Sequence, residues 1–192
     1  HAAEMAIEAW LAHAPRFGPV PVHAAGHSFG SVLTCLMLAH HPQTFSRAVL
    51  LDPVLFSPAM IGMMALSDLV GLASRNKLAA GARNRRHHWP DRRTAHANLH
   101  GRGVFRGWRE DCFQAYIDHA LRDVPGGGVE LKCRPTREAE IFASYPRRLW
   151  SSLARIRQPV LALRGRSTFA FAARSITRWA ATQPNVTCEE MP

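Results

Sequence analysis

The stretch that decides the fold is Val20-Pro21-Val22-His23-Ala24-Ala25-Gly26-His27-Ser28-Phe29-Gly30, and it continues as a helical pattern from Ser31 to Pro42. A short apolar segment leads into Gly-His-Ser-Phe-Gly, and the helical pattern begins at once after it. Strand, sharp turn and helix in this order form the context in which a Gly-x-Ser-x-Gly motif presents a serine as a nucleophile. A bare motif also arises by chance in glycine-containing turns, but the flanking pattern favours the nucleophile.

Ser28 is therefore the candidate nucleophile. A serine at such a turn is predicted to take a strained backbone conformation that pushes its hydroxyl clear of strand and helix. Gly26 and Gly30 are expected because a Cβ at either position would collide with the neighbouring chain. The helix that follows directs its unpaired N–H groups, beginning with that of Phe29, at the site. Phe29 is the candidate oxyanion donor.

With these residues the sequence resembles the α/β-hydrolase family, from residue 1 to about residue 58 and again from about residue 147. The resemblance implies an α/β fold with a parallel core sheet, helices on both faces and a mostly helical cap inserted between core strands. It divides the 192 residues into a core of residues 1–56 and 147–192 and a cap insertion of residues 57–146. The cap would govern substrate selectivity rather than chemistry.

A second apolar run, residues 46–54, is interpreted as a buried parallel strand that ends at Asp52 and Pro53. Active-site groups gather at the carboxyl ends of parallel strands, so Asp52 is expected beside Ser28. Asp52 is the candidate acid of a catalytic triad, or else a strand-end residue that caps the next turn. In the family that this chain resembles, the acid usually follows the next strand, here residues 158–165. Residues 166–171 contain no carboxylate, so either Asp52 is the acid or the triad is incomplete.

The composition excludes several classes of function. The net charge is +10, and all but Lys77 and Lys132 of the 24 basic residues are arginines spread along the chain. No nucleic-acid motif accompanies them, so no nucleic-acid partner is expected. No apolar run reaches the ~18 residues of a membrane-spanning helix, so no membrane partner is expected. The four cysteines have neither metal-site nor disulfide-framework spacing, which predicts a cytoplasmic protein with no metal and no organic cofactor.

The function that the resemblance implies is a serine hydrolase that cleaves an ester or related acyl bond of a small molecule through an acyl-enzyme on Ser28. Alternatives left open are thioester, lactone or carbon–carbon bond hydrolysis, and a non-catalytic binding protein on the same fold. The sequence begins inside a helical pattern and ends directly after a strand-like run, so we expect a fragment cut at both ends. In the family, the catalytic histidine follows the last strand. It would lie outside the fragment, which would then be inactive alone.

Other patterns predict secondary structure in the insertion and beyond it. They favour a helix over 108–123, a strand over 129–134, and a helix from Pro135 capped by Thr136. Short helices are predicted over 151–156 and 172–182, and a last strand over 185–191. The basic run 83–93 is interpreted as a solvated helix end and turn rather than an anion site.

Overall fold

The computed structural model describes residues 2–70 and 76–192 of the chain. By their internal contacts the residues form two compact units, a first unit of His1–Gly71 with Pro146–Pro192 and a second unit of Leu72–Tyr145. The helices are α1 (Ala2–His13), α2 (Phe29–His40), α3 (Pro58–Leu69), α4 (Lys77–Arg83), α5 (Arg92–Leu99), α6 (Glu110–Ala120), α7 (Pro135–Ala143), α8 (Leu149–Leu153) and α9 (Ala170–Thr182). The strands are β1 (His23–His27), β2 (Arg47–Leu51), β3 (His88–Trp89), β4 (Leu121–Asp123), β5 (Val129–Leu131), β6 (Val160–Gly165) and β7 (Val186–Met191).

The first unit is built on a four-stranded sheet in the order β1-β2-β6-β7, and each neighbouring pair is parallel. Its register pairs His27 with Leu51 and Leu51 with Leu163, so these three residues form one row across the sheet. The residues that follow them must therefore emerge at the same edge. The predicted α/β class with a parallel core sheet is confirmed, and so is the strand, turn and helix around Ser28.

Burial alternates along β2, which corrects the expectation of a strand buried on both sides. Ala48 and Leu50 are buried, whereas Val49 is 38% exposed and Leu51 is 42% exposed. Successive side chains of a strand point to opposite faces, so one face of the sheet carries the core within the described residues. Along the sheet, each strand lies next to the strand of the same sheet that precedes it in the chain. Right-handed crossovers between strands in such an order place the connecting helices on one face of the sheet, which accounts for burial of that face alone.

Helix α2 is the centre of the first unit. Its Cys35 and Leu38 side chains are fully buried, and the helix packs against β1, α1 and α8. Full burial of a leucine side chain stabilises a fold by about 1.5–3 kcal/mol relative to exposure. The helix ends after His40, where Pro42 is close enough to prevent a further turn. The helix that carries the site is therefore fixed by apolar contacts on several sides.

Helix α3 also belongs to the first unit, although the predicted insertion begins before it. The Ser57 hydroxyl caps its start by accepting a hydrogen bond from the Met60 N–H at 3.2 Å, and Pro58 occupies the first turn. Only Ile61 of this helix is buried, and Met63 is 66% exposed. Across residues 2–70 and 76–192, every helix is too short or too polar to cross a bilayer.

The second unit has its own antiparallel sheet, in the order β3-β5-β4, and its own apolar core. The core combines strand and helix residues: Trp89, Ala95, Phe105, Phe113, Ile117, Leu121, Val129 and Leu131. Helix α6 ends at Ala120, because Leu121 to Asp123 pair with β5 instead of continuing the predicted helix. Strand β5 ends at Leu131, three residues before the predicted end.

One further expectation for the second unit is wrong. Thr136 does not cap α7, because the helix begins at Pro135 with Arg134 as the capping residue. Proline suits the first helical position since its missing N–H would have no intrahelical partner there. The basic run, by contrast, begins at the end of α4 and is largely exposed, as predicted, and Arg85 is a partly buried exception. Arg85 donates from Nη1 to both carboxylate oxygens of Glu138, at 2.9 and 2.8 Å, in a half-buried ion pair.

Candidate active site

Ser28 lies in the turn between β1 and α2 with φ 53° and ψ −118°, a conformation that an L-residue rarely adopts. Its backbone N–H donates to the Leu51 carbonyl oxygen of the neighbouring strand at 2.8 Å. Helix α2 begins at the next residue. The predicted strained turn is therefore confirmed, and a hydrogen bond to β2 holds it in place.

Gly26 is required by the close approach of the turn. A Cβ at this position would lie 2.6 Å from the Gly30 carbonyl oxygen and 2.7 Å from the Ser31 nitrogen. The same expectation is wrong for Gly30, where an added Cβ would meet no atom within 4 Å. The backbone of Gly30 is the obstacle to a side chain at Gly26, and Gly30 itself has room for one.

This asymmetry gives a stability prediction with a matched control. We expect Gly26→Ala to lower the free energy of unfolding by about 1–3 kcal/mol, because the backbone of the turn must shift. Gly30→Ala lies in the first turn of α2 and should leave stability unchanged or raise it by up to about 1 kcal/mol. Urea unfolding of both variants measures the difference. Equal free energies of unfolding for the two variants would contradict the close approach.

Ser31 is a residue of the site that sequence reasoning missed. Its side chain is fully buried, and its hydroxyl lies 2.7 Å from the Gly26 carbonyl oxygen and 3.2 Å from that of Leu51. The hydroxyl thus joins the start of α2 to the ends of β1 and β2. A serine in the first turn of a helix is usually interpreted as a capping residue for the helix start. Only the strand register reveals that its acceptors lie on the sheet.

Phe29 is the first residue of α2. The first four N–H groups of an α-helix have no intrahelical acceptor, and the helix dipole places partial positive charge at this end. In the same turn, the N–H of Ser31 donates to the Ser28 carbonyl oxygen at 3.1 Å. The Phe29 N–H therefore belongs to a helix terminus that begins directly after Ser28, which suits stabilisation of negative charge.

Asp52 follows β2 in a second strained turn, with φ 47°. Its N–H donates to the Leu163 carbonyl oxygen at 2.7 Å, and its Oδ1 accepts from the Gly165 N–H at 3.1 Å. Among the non-glycine residues that the structure describes, Ser28 and Asp52 are those with positive φ. Backbone strain of this kind clusters at functional sites, where the surrounding structure enforces it.

One pocket of about 420 Å³ brings these two residues together. It is lined by His27, Ser28, Asp52, Val54, Gly165, Arg166, Ser167, Thr168, Phe169 and Pro192. The loop after β6 thus reaches the pocket with arginine, serine and threonine, and Asp52 is the carboxylate among the lining residues. His27 is the histidine among them.

In this part of the molecule, cysteine is a weaker candidate nucleophile than Ser28. Cys35 lies on α2, but burial raises the pKa of its thiol to about 12. A thiol is a nucleophile only as the thiolate, so Cys35 is inert near neutral pH. Among residues 2–70 and 76–192, no group of three or more His, Cys, Asp or Glu side chains is placed to hold a metal ion.

Comparison with known proteins agrees with this geometry. Residues 15–192 match the family model described as the alpha/beta hydrolase fold. Among solved structures, the thioesterase domain from the curacin biosynthetic pathway is 18% identical, with a TM-score of 0.60 over 95% of this chain and 63% of that chain. E-2-(acetamidomethylene)succinate hydrolase is 20% identical, with a TM-score of 0.61 over 92% of this chain and 60% of that one.

An esterase from M. tuberculosis is 16% identical, with a TM-score of 0.59 over 99% of this chain and 62% of that chain. A search of curated proteins found no match. The chain spans 60% to 63% of the length of these three structures, and at such identities the likeness concerns the fold alone. With the family model matching residues 15–192, the chain belongs to the α/β-hydrolase fold family.

Proposed function

We propose that the whole protein is a serine hydrolase that cleaves an ester or related acyl bond through an acyl-enzyme on Ser28. The observation that carries the proposal is the strained Ser28 directly before the N-terminus of α2, in one pocket with Asp52. Strain that fixes a hydroxyl at a helix start serves nucleophilic attack and has no evident role in packing. Phe29 and Asp52 take supporting roles as oxyanion donor and triad acid.

The reaction has two halves. In the first, the Ser28 Oγ attacks the carbonyl carbon, its proton passes to a histidine supplied by the whole protein, and the Phe29 N–H stabilises the oxyanion. Collapse of this intermediate expels the alcohol, which takes the proton from the histidine. In the second, the histidine deprotonates a water molecule that attacks the acyl-enzyme, and the acid leaves as Ser28 regains its proton. Asp52 orients the histidine and stabilises its charged form.

The same nucleophile would serve thioester, lactone or carbon–carbon bond hydrolysis, so the proposal covers a class of acyl bonds rather than one bond type. A small-molecule substrate is proposed, because a pocket of about 420 Å³ beside Ser28 and Asp52 falls within the size range of small-molecule sites. All four cysteines are free, and Cys112 and Cys133 are exposed. Free exposed thiols suit a reducing compartment, and we place the protein in the cytoplasm on that ground.

A binding protein without catalysis is the second candidate function. It is favoured by one observation, that residues 166–168 bring no carboxylate to the pocket. A fluorophosphonate probe distinguishes the two, because it reacts covalently only with an activated serine. We expect the full-length protein to be labelled and its Ser28→Ala variant to resist labelling. Equal labelling of both, or of neither, would count against the catalytic proposal.

The insertion is proposed to set substrate choice. Met63 is largely exposed, so Met63→Ala should fold normally, while Met60→Ala and Met64→Ala remove half-buried side chains. If these residues line the substrate path, the ratio of kcat/KM between long-chain and short-chain esters should change by about 3- to 10-fold. A chain-length panel with full-length enzyme measures this ratio. Unchanged ratios in all three variants would contradict a selective role for α3.

A further inference from the structure

Three phenylalanine rings stack in a row within the first unit. The ring centroids of Phe169 and Phe171 lie 5.7 Å apart, and those of Phe171 and Phe56 lie 5.6 Å apart. The planes of the second pair differ by only 7°. Phe169 precedes α9, Phe171 lies in its first turn, and Phe56 precedes α3. The row therefore joins two chain segments that are far apart in sequence.

The inner end of the row is held by side chains of α8 and α9. The Trp150 indole N–H donates to the Phe56 carbonyl oxygen at 2.9 Å, and the guanidinium of Arg178 lies over the Trp150 ring, 5.1 Å from its centroid. Phe56 and Phe171 are each partly buried. The two inner rings thus form a fixed support for the third.

The outer ring, Phe169, lines the pocket that contains Ser28 and Asp52, yet the residue is 67% exposed. A phenylalanine exposed to this extent gains little hydrophobic stabilisation from folding. Val54 adds a second apolar side chain to the same pocket, whose other lining residues are largely polar. An apolar wall opposite a few polar groups is the usual arrangement of a small-molecule site.

We propose that Phe169, supported by Phe171 and Phe56, is the wall against which the hydrophobic acyl chain of the substrate lies. The enzyme would then prefer esters of apolar acyl groups longer than acetyl. The inference rests on the proposed function, since it gives the acyl-enzyme on Ser28 a subsite for its chain. Stacking fixes the ring before the substrate arrives, so little ordering is needed on binding.

The test is a series of p-nitrophenyl esters with a constant leaving group and an acetyl, butyryl or octanoyl chain. In the full-length enzyme, kcat/KM should rise with chain length. Phe169→Ala should lower it by about 10-fold for octanoate and by less than about 2-fold for acetate, while Phe169→Leu should retain much of the preference. Phe17→Ala is the matched control, because Phe17 is 58% exposed and stacks on Trp10 but does not line the pocket.

The outcomes separate the subsite from the catalytic proposal. Labelling of Ser28 by a fluorophosphonate, with the same chain-length profile in wild type and Phe169→Ala, would overturn the subsite and leave the hydrolase intact. A Phe169→Ala effect that follows the length of the alcohol in an acetate series would also overturn the assignment to the acyl side. Absence of both labelling and turnover in the wild type would overturn the subsite together with the function on which it rests.

Discussion

Ser28→Ala in the full-length protein is expected to lower kcat for ester hydrolysis by about 10⁴- to 10⁶-fold, since loss of a triad serine removes covalent catalysis altogether. The fold should persist, because the hydrogen bond from residue 28 to Leu51 is made by the backbone. The measurement is steady-state hydrolysis together with urea unfolding of the same preparations. A free energy of unfolding within about 0.5 kcal/mol of wild type would show that lost activity is not lost structure.

Two further variants sharpen the result. Ser151→Ala is the matched control, because it removes an exposed serine hydroxyl of the same unit that bonds only to the Arg148 carbonyl oxygen, and it should retain wild-type turnover. Ser28→Gly should be equally inactive but more stable by about 1 kcal/mol or more, because glycine tolerates a φ of 53° without strain. Substantial turnover by Ser28→Ala would require another nucleophile and would end the assignment.

Asp52→Asn is expected to lower kcat by about 10²- to 10⁴-fold with little change in stability. The substitution is well matched to the structure. Asparagine tolerates the positive φ of residue 52, and its side-chain oxygen can still accept the hydrogen bond from the Gly165 N–H. What it removes is the negative charge and the acceptor that would hold a histidine in the productive tautomer.

Because asparagine fits the turn at position 52, this substitution distinguishes the two roles considered for Asp52. If the residue only completes the turn after β2, Asn should behave as wild type, whereas Ala should lower stability through loss of the Gly165 contact. If it is the triad acid, Asn and Ala should both lose kcat. A fall below about threefold for Asp52→Asn would assign the aspartate to the turn, and the acid would then have to come from elsewhere in the protein.

The local parts of the site were predictable from the sequence because they depend on short-range geometry. A strand, turn and helix around Ser28 follow from periodicity and from the motif, and Asp52 follows from the rule that parallel strands end at one edge. Collision at Gly26 was predicted correctly, but the same reasoning failed at Gly30, since only one of the two glycines faces the other's backbone.

The parts that sequence did not predict depend on long-range register. Ser31 acts on the Leu51 carbonyl oxygen across 20 positions of sequence, and the stack of Phe56 on Phe171 joins residues in different segments. Burial of β2 on one face depends on where the crossover helices lie, which an apolar run does not reveal. Thr136 was misjudged as a cap because Pro135 suits the first helical position even better.

Hydrogen bonds between main-chain atoms hold the two strained turns of the site in place, and this affects how the sequence can evolve. The N–H of Ser28 binds the oxygen of Leu51, and the N–H of Asp52 binds the oxygen of Leu163. Neither bond depends on which side chain stands at position 51 or 163, so mutations there can accumulate without moving the nucleophile or the aspartate. Substitution at such positions should cost little stability, whereas a Cβ added at Gly26 would collide with the backbone of Gly30. Selection for the turn should therefore preserve the residues at a few positions rather than the identity of the sequence as a whole.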